Sequence, residues 1–132
     1  MPILRLTAVL SLAVLLSACA QKPSSVTLEQ KQQAKCPLTL HVGQQFILRL
    51  PSNPTTGFRW LVRDAAPQVL KSLGPEVYSN PEDSGLVGSG GISTWRFNVV
   101  AAGEGQLSLT YERPWEVGVV PAQRFTCTLK AQ

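Results

Sequence analysis

Residues 95–111 read WRFNVVAAGEGQLSLTY and contain two runs in which every second side chain is large and apolar. The apolar positions are Trp95, Phe97 and Val99 in the first run and Leu107, Leu109 and Tyr111 in the second. Alternation with a period of two predicts β-strands that bury one face and expose the other. Gly103-Glu104-Gly105 lies between the runs and predicts a tight hairpin.

The same alternation recurs on both sides of this stretch. Its apolar positions are Leu38, Leu40, Val42, Phe46, Leu48, Leu50, Trp60, Val62, Phe125, Cys127 and Leu129. Most of the ten prolines and ten glycines fall between the runs, and no helical periodicity of useful length is present. Short strands separated by turns over about 100 residues predict an all-β, immunoglobulin-like two-sheet β-sandwich. A small closed barrel is the competing fold.

Charge and composition exclude several classes of function. The 132 residues carry 12 basic and 8 acidic side chains, a net charge of +4, with no run of adjacent lysines or arginines. A nucleic-acid-binding surface needs clustered basic residues, so none is expected. One histidine and three cysteines exclude most metal sites, and no cofactor is expected.

Residues 1–18 predict an export signal, with Arg5 near the start and an apolar stretch of 11 residues from Leu6 to Leu16. A membrane-spanning helix needs about 20 residues, so this stretch is too short for one. It ends in Leu16-Ser17-Ala18-Cys19, which resembles the lipobox of bacterial lipoproteins. The resemblance implies cleavage before Cys19, three acyl chains on that residue and, because Ala20 follows rather than Asp, the outer membrane facing the periplasm in a Gram-negative cell. An ordinary signal peptide is the alternative.

Residues 20–35, AQKPSSVTLEQKQQAK, are polar, with Val26 and Leu28 as their larger apolar side chains. Such a segment buries too little surface to offset the entropy lost on ordering, so residues 19–35 are predicted to be a lipidated cysteine and a polar tether. Sixteen residues of flexible coil would span roughly 20–24 Å. A short amphipathic helix over residues 26–35 is the alternative. The folded domain is then predicted to span residues 36–132.

Cys36 and Cys127 share the inward parity of the apolar residues around them. With Cys19 assigned to the lipid, they are the two remaining cysteines, and the compartment of an exported protein is oxidising. A disulfide between them would close a loop of about 90 residues and stabilise the fold by roughly 4–5 kcal/mol. Two buried free thiols are the alternative.

Three segments between the predicted strands have an unusual composition. The first is Asn53-Pro54-Thr55-Thr56-Gly57, in which the proline stiffens the chain and the glycine permits a reversal. The second is Gly88-Ser89-Gly90-Gly91, whose glycines let another backbone approach closely. The third is Arg113-Pro114-Trp115, which follows a strand and favours display of the tryptophan at the surface.

In this order and spacing, NPTTG, GSGG and RPW resemble the chagasin family of cysteine-peptidase inhibitors, from about Leu38 to Gln132. The resemblance implies an immunoglobulin-like domain that reversibly blocks papain-like cysteine peptidases with three loops at one end. It implies that residues 53–57 enter the catalytic centre with Thr55 nearest the peptidase's cysteine and histidine. Residues 88–91 would run along one side of the cleft, and Arg113 and Trp115 would pack on the other.

Residue chemistry is consistent with an inhibitor, which needs shape and rigidity rather than a nucleophile. Stiff loops lose little entropy on docking, and tryptophan and arginine are frequent interface anchors, with Trp115 expected to contribute more than Arg113. Catalysis is not expected, because His41 is the only histidine and has outward strand parity. An envelope-anchored immunoglobulin-like module that binds peptides or glycans without inhibiting a peptidase is the alternative. The domain is expected to be a monomer.

Overall fold

A computed structural model describes residues 21–80 and 90–132 of the chain. The predicted leader, Cys19, Gly88 and Ser89 lie outside these residues. The described residues form nine β-strands and two short 3₁₀ helices. The strands are β1 (Ser25–Glu29), β2 (Leu38–Leu40), β3 (Gln45–Ser52), β4 (Arg59–Ala65), β5 (Leu70–Ser72), β6 (Val77–Ser79), β7 (Gly91–Val99), β8 (Gly103–Glu112) and β9 (Gln123–Ala131). The 3₁₀ helices span Gln30–Lys35 and Pro54–Thr56.

The strands form two mixed sheets that face each other. The first sheet has the order β1-β3-β7-β5, with β6 also paired to β7, and the second has the order β2-β9-β8-β4. One cluster of buried side chains from both sheets fills the space between them. It includes Phe46, Leu48, Phe97, Leu107, Leu109 and Phe125. The predicted two-sheet sandwich is therefore confirmed, and the closed barrel is not formed.

The predicted hairpin at Gly103-Glu104-Gly105 is wrong. Strand β7 belongs to the first sheet and β8 to the second, so residues 100–102 carry the chain across the core and the glycines begin β8. Alternation marks one buried face on each strand, but it does not distinguish strands side by side from strands face to face. A Cβ at position 105 would lie 3.0 Å from the Cβ of Ala66, so this glycine admits a neighbouring turn.

Residues 25–35 are not a tether. Strand β1 pairs in parallel with β3, in the register Ser25↔Gln45 to Glu29↔Arg49, and Leu28 is only 1% exposed. The following residues form a 3₁₀ helix rather than an amphipathic α-helix. The physical reason is that Val26 and Leu28 are two residues apart, which is the period of a strand, and β3 offers an edge to pair with. The folded domain therefore begins near Ser25, not at Cys36.

The crossing from β1 to β2 is fastened covalently. A disulfide joins Cys36, just before β2, to Cys127 in β9, as predicted. The Gln33 side-chain amide also donates to the Thr126 carbonyl at 3.2 Å. Because the two cysteines are 91 residues apart, loss of the bridge would release a long loop in the unfolded chain, worth about 4–5 kcal/mol in the chain-entropy model.

Two positions predicted to point inward are exposed. Val42 lies in the turn after β2, which ends at Leu40. Val62 lies next to a register shift in the pairing of β4 with β8, between Val62 and Asp64. A bulge inserts an extra residue and so breaks the simple alternation of inward and outward side chains.

We expect a fragment that begins at Cys36 to be less stable than one that begins at Gln21. Removing β1 leaves the β3 edge unpaired and takes Leu28 out of the core, and removal of one such side chain alone costs about 2–5 kcal/mol. Urea unfolding of the two fragments and of Leu28→Ala in the longer one measures the effect. Equal midpoints for all three proteins would contradict the placement of β1.

Candidate functional site

The strand registers bring the predicted loops to one end of the sandwich. Ser52 at the end of β3 pairs with Gly91 at the start of β7, so the first loop and the glycine-rich segment are adjacent. In the second sheet, Arg59 at the start of β4 pairs with Glu112 at the end of β8. The first loop thus crosses from one sheet to the other beside the start of the third segment.

Internal hydrogen bonds hold the first loop in one shape. The Asn53 side-chain oxygen accepts from the Thr55 backbone N–H at 3.3 Å and from the Thr55 hydroxyl at 2.6 Å. The Thr56 hydroxyl donates to the Asn53 carbonyl at 2.7 Å. Pro54 begins a 3₁₀ turn that Gly57 ends with a φ of 82°. Each of the five residues of NPTTG therefore contributes to the predicted stiffness, through a hydrogen bond, the proline ring or the glycine turn.

Aromatic side chains behind the first loop attach it to both sheets. The Asn53 backbone N–H donates to the Tyr111 hydroxyl at 3.0 Å, and the Trp60 indole N–H donates to the Pro51 carbonyl at 2.9 Å. The Tyr111 ring lies 4.8 Å from the Trp60 ring and 5.2 Å from the Phe58 ring. Sequence reasoning treated Tyr111 only as a core residue and missed this role, for which its hydroxyl at a strand end next to a loop is the available signal.

The first and third segments are in direct contact. A Cβ at position 57 would lie 2.2 Å from Cη2 of Trp115, so the indole rests on a surface that only glycine leaves open. Trp115 nevertheless remains 66% exposed, which confirms that the tryptophan is displayed at the surface. Its ring is supported from beneath and open above, as a preformed interface anchor requires.

The Arg113 side chain makes its contacts within the domain. Its Nε donates to the Thr56 carbonyl at 3.1 Å, its Nη1 lies 3.0 Å from Glu116 Oε1, and its guanidinium sits 4.5 Å from the centre of the Phe58 ring. These contacts tie the third segment to the first. Arg113 is therefore a positioning residue for Thr56 and Trp115, a role that sequence reasoning did not identify.

The described end of the glycine-rich segment packs closely on its own chain. A Cβ at Gly91 would lie 2.3 Å from the Ser79 carbonyl oxygen and 2.7 Å from the Tyr78 hydroxyl. A Cβ at Gly90 would lie 3.4 Å from the Ser52 carbonyl oxygen. These glycines predicted that another backbone approaches closely, and at Gly91 the approaching backbone is that of β6.

The loop end contains the features of a binding surface. His41 lies before β3 and therefore at the opposite end of the sandwich from the loops. Over residues 21–80 and 90–132, no cluster of three or more histidine, cysteine, aspartate or glutamate side chains is placed to hold a metal. No helix in the same residues is long and apolar enough to cross a membrane. A β-sandwich with stiff, interlocked loops at one end is typical of binding proteins, and this is the class that the fold and the site indicate.

Comparison with known proteins identifies the family of binding proteins to which the chain is similar. A sequence profile of the chagasin family peptidase inhibitors, I42, matches residues 39–129. Chagasin of Trypanosoma cruzi is 38% identical over 98 residues, which cover 71% of this chain and 87% of chagasin. The cysteine protease inhibitor EhICP2 of Entamoeba histolytica has a TM-score of 0.68 at 24% identity, covering 82% of this chain and 96% of that one. Leishmania mexicana ICP has a TM-score of 0.53 at 29% identity, covering 71% and 85%.

The chain belongs to the chagasin family of peptidase inhibitors. The family inferred from NPTTG, GSGG and RPW is therefore confirmed. Membership of an inhibitor family also confirms that the chain is not an enzyme.

We expect Gly57→Ala to displace the Trp115 ring, because the new methyl group would overlap the indole and position 57 has a positive φ. Gly43→Ala is the matched control, since Gly43 also has a positive φ, 95°, but an added Cβ there meets nothing within 4 Å. Both variants should lose roughly 1–2 kcal/mol of stability from backbone strain. Only Gly57→Ala should shift the Trp115 indole resonance in NMR spectra, and an unchanged resonance would contradict the contact.

Proposed function

We propose that this protein is a reversible, monomeric inhibitor of papain-like cysteine peptidases. Its inhibitory surface comprises residues 53–57, residues 88–91 and Arg113-Pro114-Trp115. The observation that carries the proposal is the contact between Gly57 and Trp115, which joins two of these segments into one rigid, exposed surface. Family membership supports the activity, and the NPTTG, GSGG and RPW motifs support the target class.

Rigidity explains how such a surface inhibits without chemistry of its own. A loop held by the Asn53, Thr55 and Thr56 hydrogen bonds loses little conformational entropy when it enters a cleft. Contact energy is then retained as affinity. Inhibition in this way needs no covalent bond to the peptidase, which accounts for its reversibility.

Each segment has a proposed position in the cleft. Thr55 lies at the exposed tip of the first loop and would approach the peptidase's cysteine and histidine most closely. The glycine-rich segment would line one side of the cleft, and Trp115 would cover the other. Arg113 would act mainly by holding Thr56 and the third segment in register, because its Nε and Nη1 groups already donate within the domain.

We expect the domain of residues 21–132 to inhibit papain, and Trp115→Ala and Thr55→Ala to weaken that inhibition. Loss of an interface anchor typically costs 2 kcal/mol or more, so the inhibition constant for Trp115→Ala should rise by roughly thirtyfold or more. Both side chains are exposed, and Thr55→Ala loses one exposed hydrogen bond to Asn53 while the backbone N–H bond to the same oxygen remains, so urea midpoints should change little. Thr39→Ala, at an exposed position in β2, is the control and should leave inhibition unchanged.

Absence of inhibition at micromolar concentrations of the unmodified domain would contradict the proposal. It would favour the alternative, an envelope-anchored module that binds peptides or glycans through the same loops. Equal losses of inhibition and stability in the two loop variants would instead show that Thr55 and Trp115 are structural.

We further propose that the protein is a lipoprotein anchored through Cys19 in the cell envelope, with residues 1–18 removed as a signal peptide. The sequence Leu16-Ser17-Ala18-Cys19 supports lipidation, and Ala20 supports the outer membrane facing the periplasm in a Gram-negative cell. Several acyl chains would make the anchor durable, whereas one gives only marginal binding.

The position of β1 shortens the connection between this anchor and the domain. The Gln44 side-chain amide donates to the Pro23 carbonyl at 2.8 Å, so the chain is attached to the sandwich from Pro23 onward. Residues 20–22 can then span at most about 14 Å between Cys19 and Pro23. Because β1 begins beside the start of β3, and β3 ends at the first loop, the anchor would leave from the end opposite the inhibitory surface.

Cys19→Ser should move the protein from the membrane fraction to the soluble fraction when the full chain is expressed in a Gram-negative bacterium. The reason is that the substituted residue has no thiol to accept a lipid. Thr39→Ala, which leaves both Cys19 and the disulfide intact, is the control and should stay in the membrane fraction. Metabolic labelling with a radioactive fatty acid tests the modification itself, and unlabelled wild-type protein would contradict the lipid anchor.

A further inference from the structure

A cluster of exposed valines follows the third inhibitory segment. We call residues 117–120, VGVV, the valine segment. Val117 is 94% exposed, Val119 56% and Val120 78%, and Trp115 lies two residues before them. Single exposed apolar residues are ordinary, but a contiguous apolar patch on a small protein marks an interaction site.

Packing within the domain does not account for these side chains. Val69 and Val99 are buried in the core, and the exposed valines outside the segment, at positions 42, 62, 77 and 100, stand singly along the chain, whereas three of the four residues 117–120 are exposed valines. In the valine segment a polar residue would meet solvent equally well. The clustering of apolar side chains therefore favours a surface that a partner covers.

The valine segment is held close to the inhibitory surface. Before it, the Glu116 N–H donates to the Arg113 carbonyl at 3.0 Å and the Val117 N–H donates to the Trp115 carbonyl at 3.2 Å. After it, the Ala122 N–H donates to the Tyr111 carbonyl at 2.9 Å. Both ends are thus attached to the residues that position Trp115 and the first loop.

A shallow recess lies between this segment and Phe58, the residue that follows the first loop. Its volume is about 80 Å³, and its lining includes Phe58, Arg113, Val119 and Val120. A recess of this size admits one small apolar side chain of a partner. Arg113 and Glu116 also line the recess, and these two residues lie on either side of Pro114-Trp115 in the chain.

We infer that the valine segment is a further peptidase contact, which packs against an apolar surface beside the substrate cleft, on the side that Trp115 covers. This inference rests on the proposed inhibitory function. Its consequence is selectivity: a peptidase with apolar residues bordering that side of its cleft is bound more tightly than one with charged residues there. Covering the valines removes apolar area from water, and covering a charge with them leaves that charge without solvent.

The chemistry of the patch and its position favour a peptidase over a membrane surface. Glu112 and Glu116 border the recess, and the valine segment itself carries no basic residue, so attraction to anionic lipid is absent. The chain also enters the sandwich at Pro23, at the opposite end. A second copy of the domain remains as an outcome of the experiment.

The test compares the domain of residues 21–132 with its Val117→Ser/Val120→Ser variant. Inhibition constants are measured against papain and a panel of papain-like peptidases of known structure, grouped by the charge bordering that side of the cleft. Val42→Ser is the matched control, because Val42 is 49% exposed and lies at the other end of the sandwich. We expect the inhibition constant of the double variant to rise about tenfold for peptidases with apolar borders and less than threefold for those with charged borders.

Each outcome separates the two proposals. If the unmodified domain inhibits and the double variant inhibits equally well across the panel, the valine segment is not a contact and the proposed function stands. If the unmodified domain inhibits none of the peptidases, the proposed function fails and this inference falls with it. A concentration-dependent dimer in sedimentation experiments that the double variant abolishes would assign the valines to self-association and overturn the inference.

Discussion

Burial of one apolar face from each of two sheets is the constraint on which the rest of this structure depends. Phe46 and Phe97 from the first sheet and Phe125 from the second belong to one core. Because the chain must supply both faces, it crosses between the sheets five times in the described residues, at residues 30–37, 41–44, 53–58, 66–69 and 100–102. The first loop is one of these crossings, so the core determines where it lies.

The loop end is built as one unit rather than as three separate loops. Tyr111 accepts a hydrogen bond from Asn53 and so attaches the first loop to the second sheet. Trp115 rests on Gly57, and Arg113 bonds to the Thr56 carbonyl, so the third segment supports the first. A surface ordered in advance suits inhibition, because entropy lost during folding is not lost again on binding.

The N-terminal region does more than connect an anchor to a domain. Strand β1 completes an edge of the first sheet, and the disulfide attaches the following crossing to β9. Strand β1 lies in residues whose polar composition suggested a flexible segment. In the proposed lipoprotein, the pairing of β1 with β3 would keep the sandwich near the membrane. It would also place the loop end away from the membrane by roughly the 25 Å length of an eight-residue strand.

The sequence by itself determined six of the nine described strands, the two-sheet class, the pairing of Cys36 with Cys127 and the family; it did not identify β1, β5 and β6. These depend on local or elementary signals: a period of two, two inward cysteines and three short motifs. Tertiary structure alone decided that the runs around Gly103 face each other across the core, since alternation is the same in either arrangement. It also decided that residues 25–29 are a strand, because two apolar side chains suffice only when a neighbouring edge is available. Finally, it assigned Arg113 the role of holding the first and third segments together, because the Thr56 carbonyl and the Phe58 ring reach it only in the folded chain.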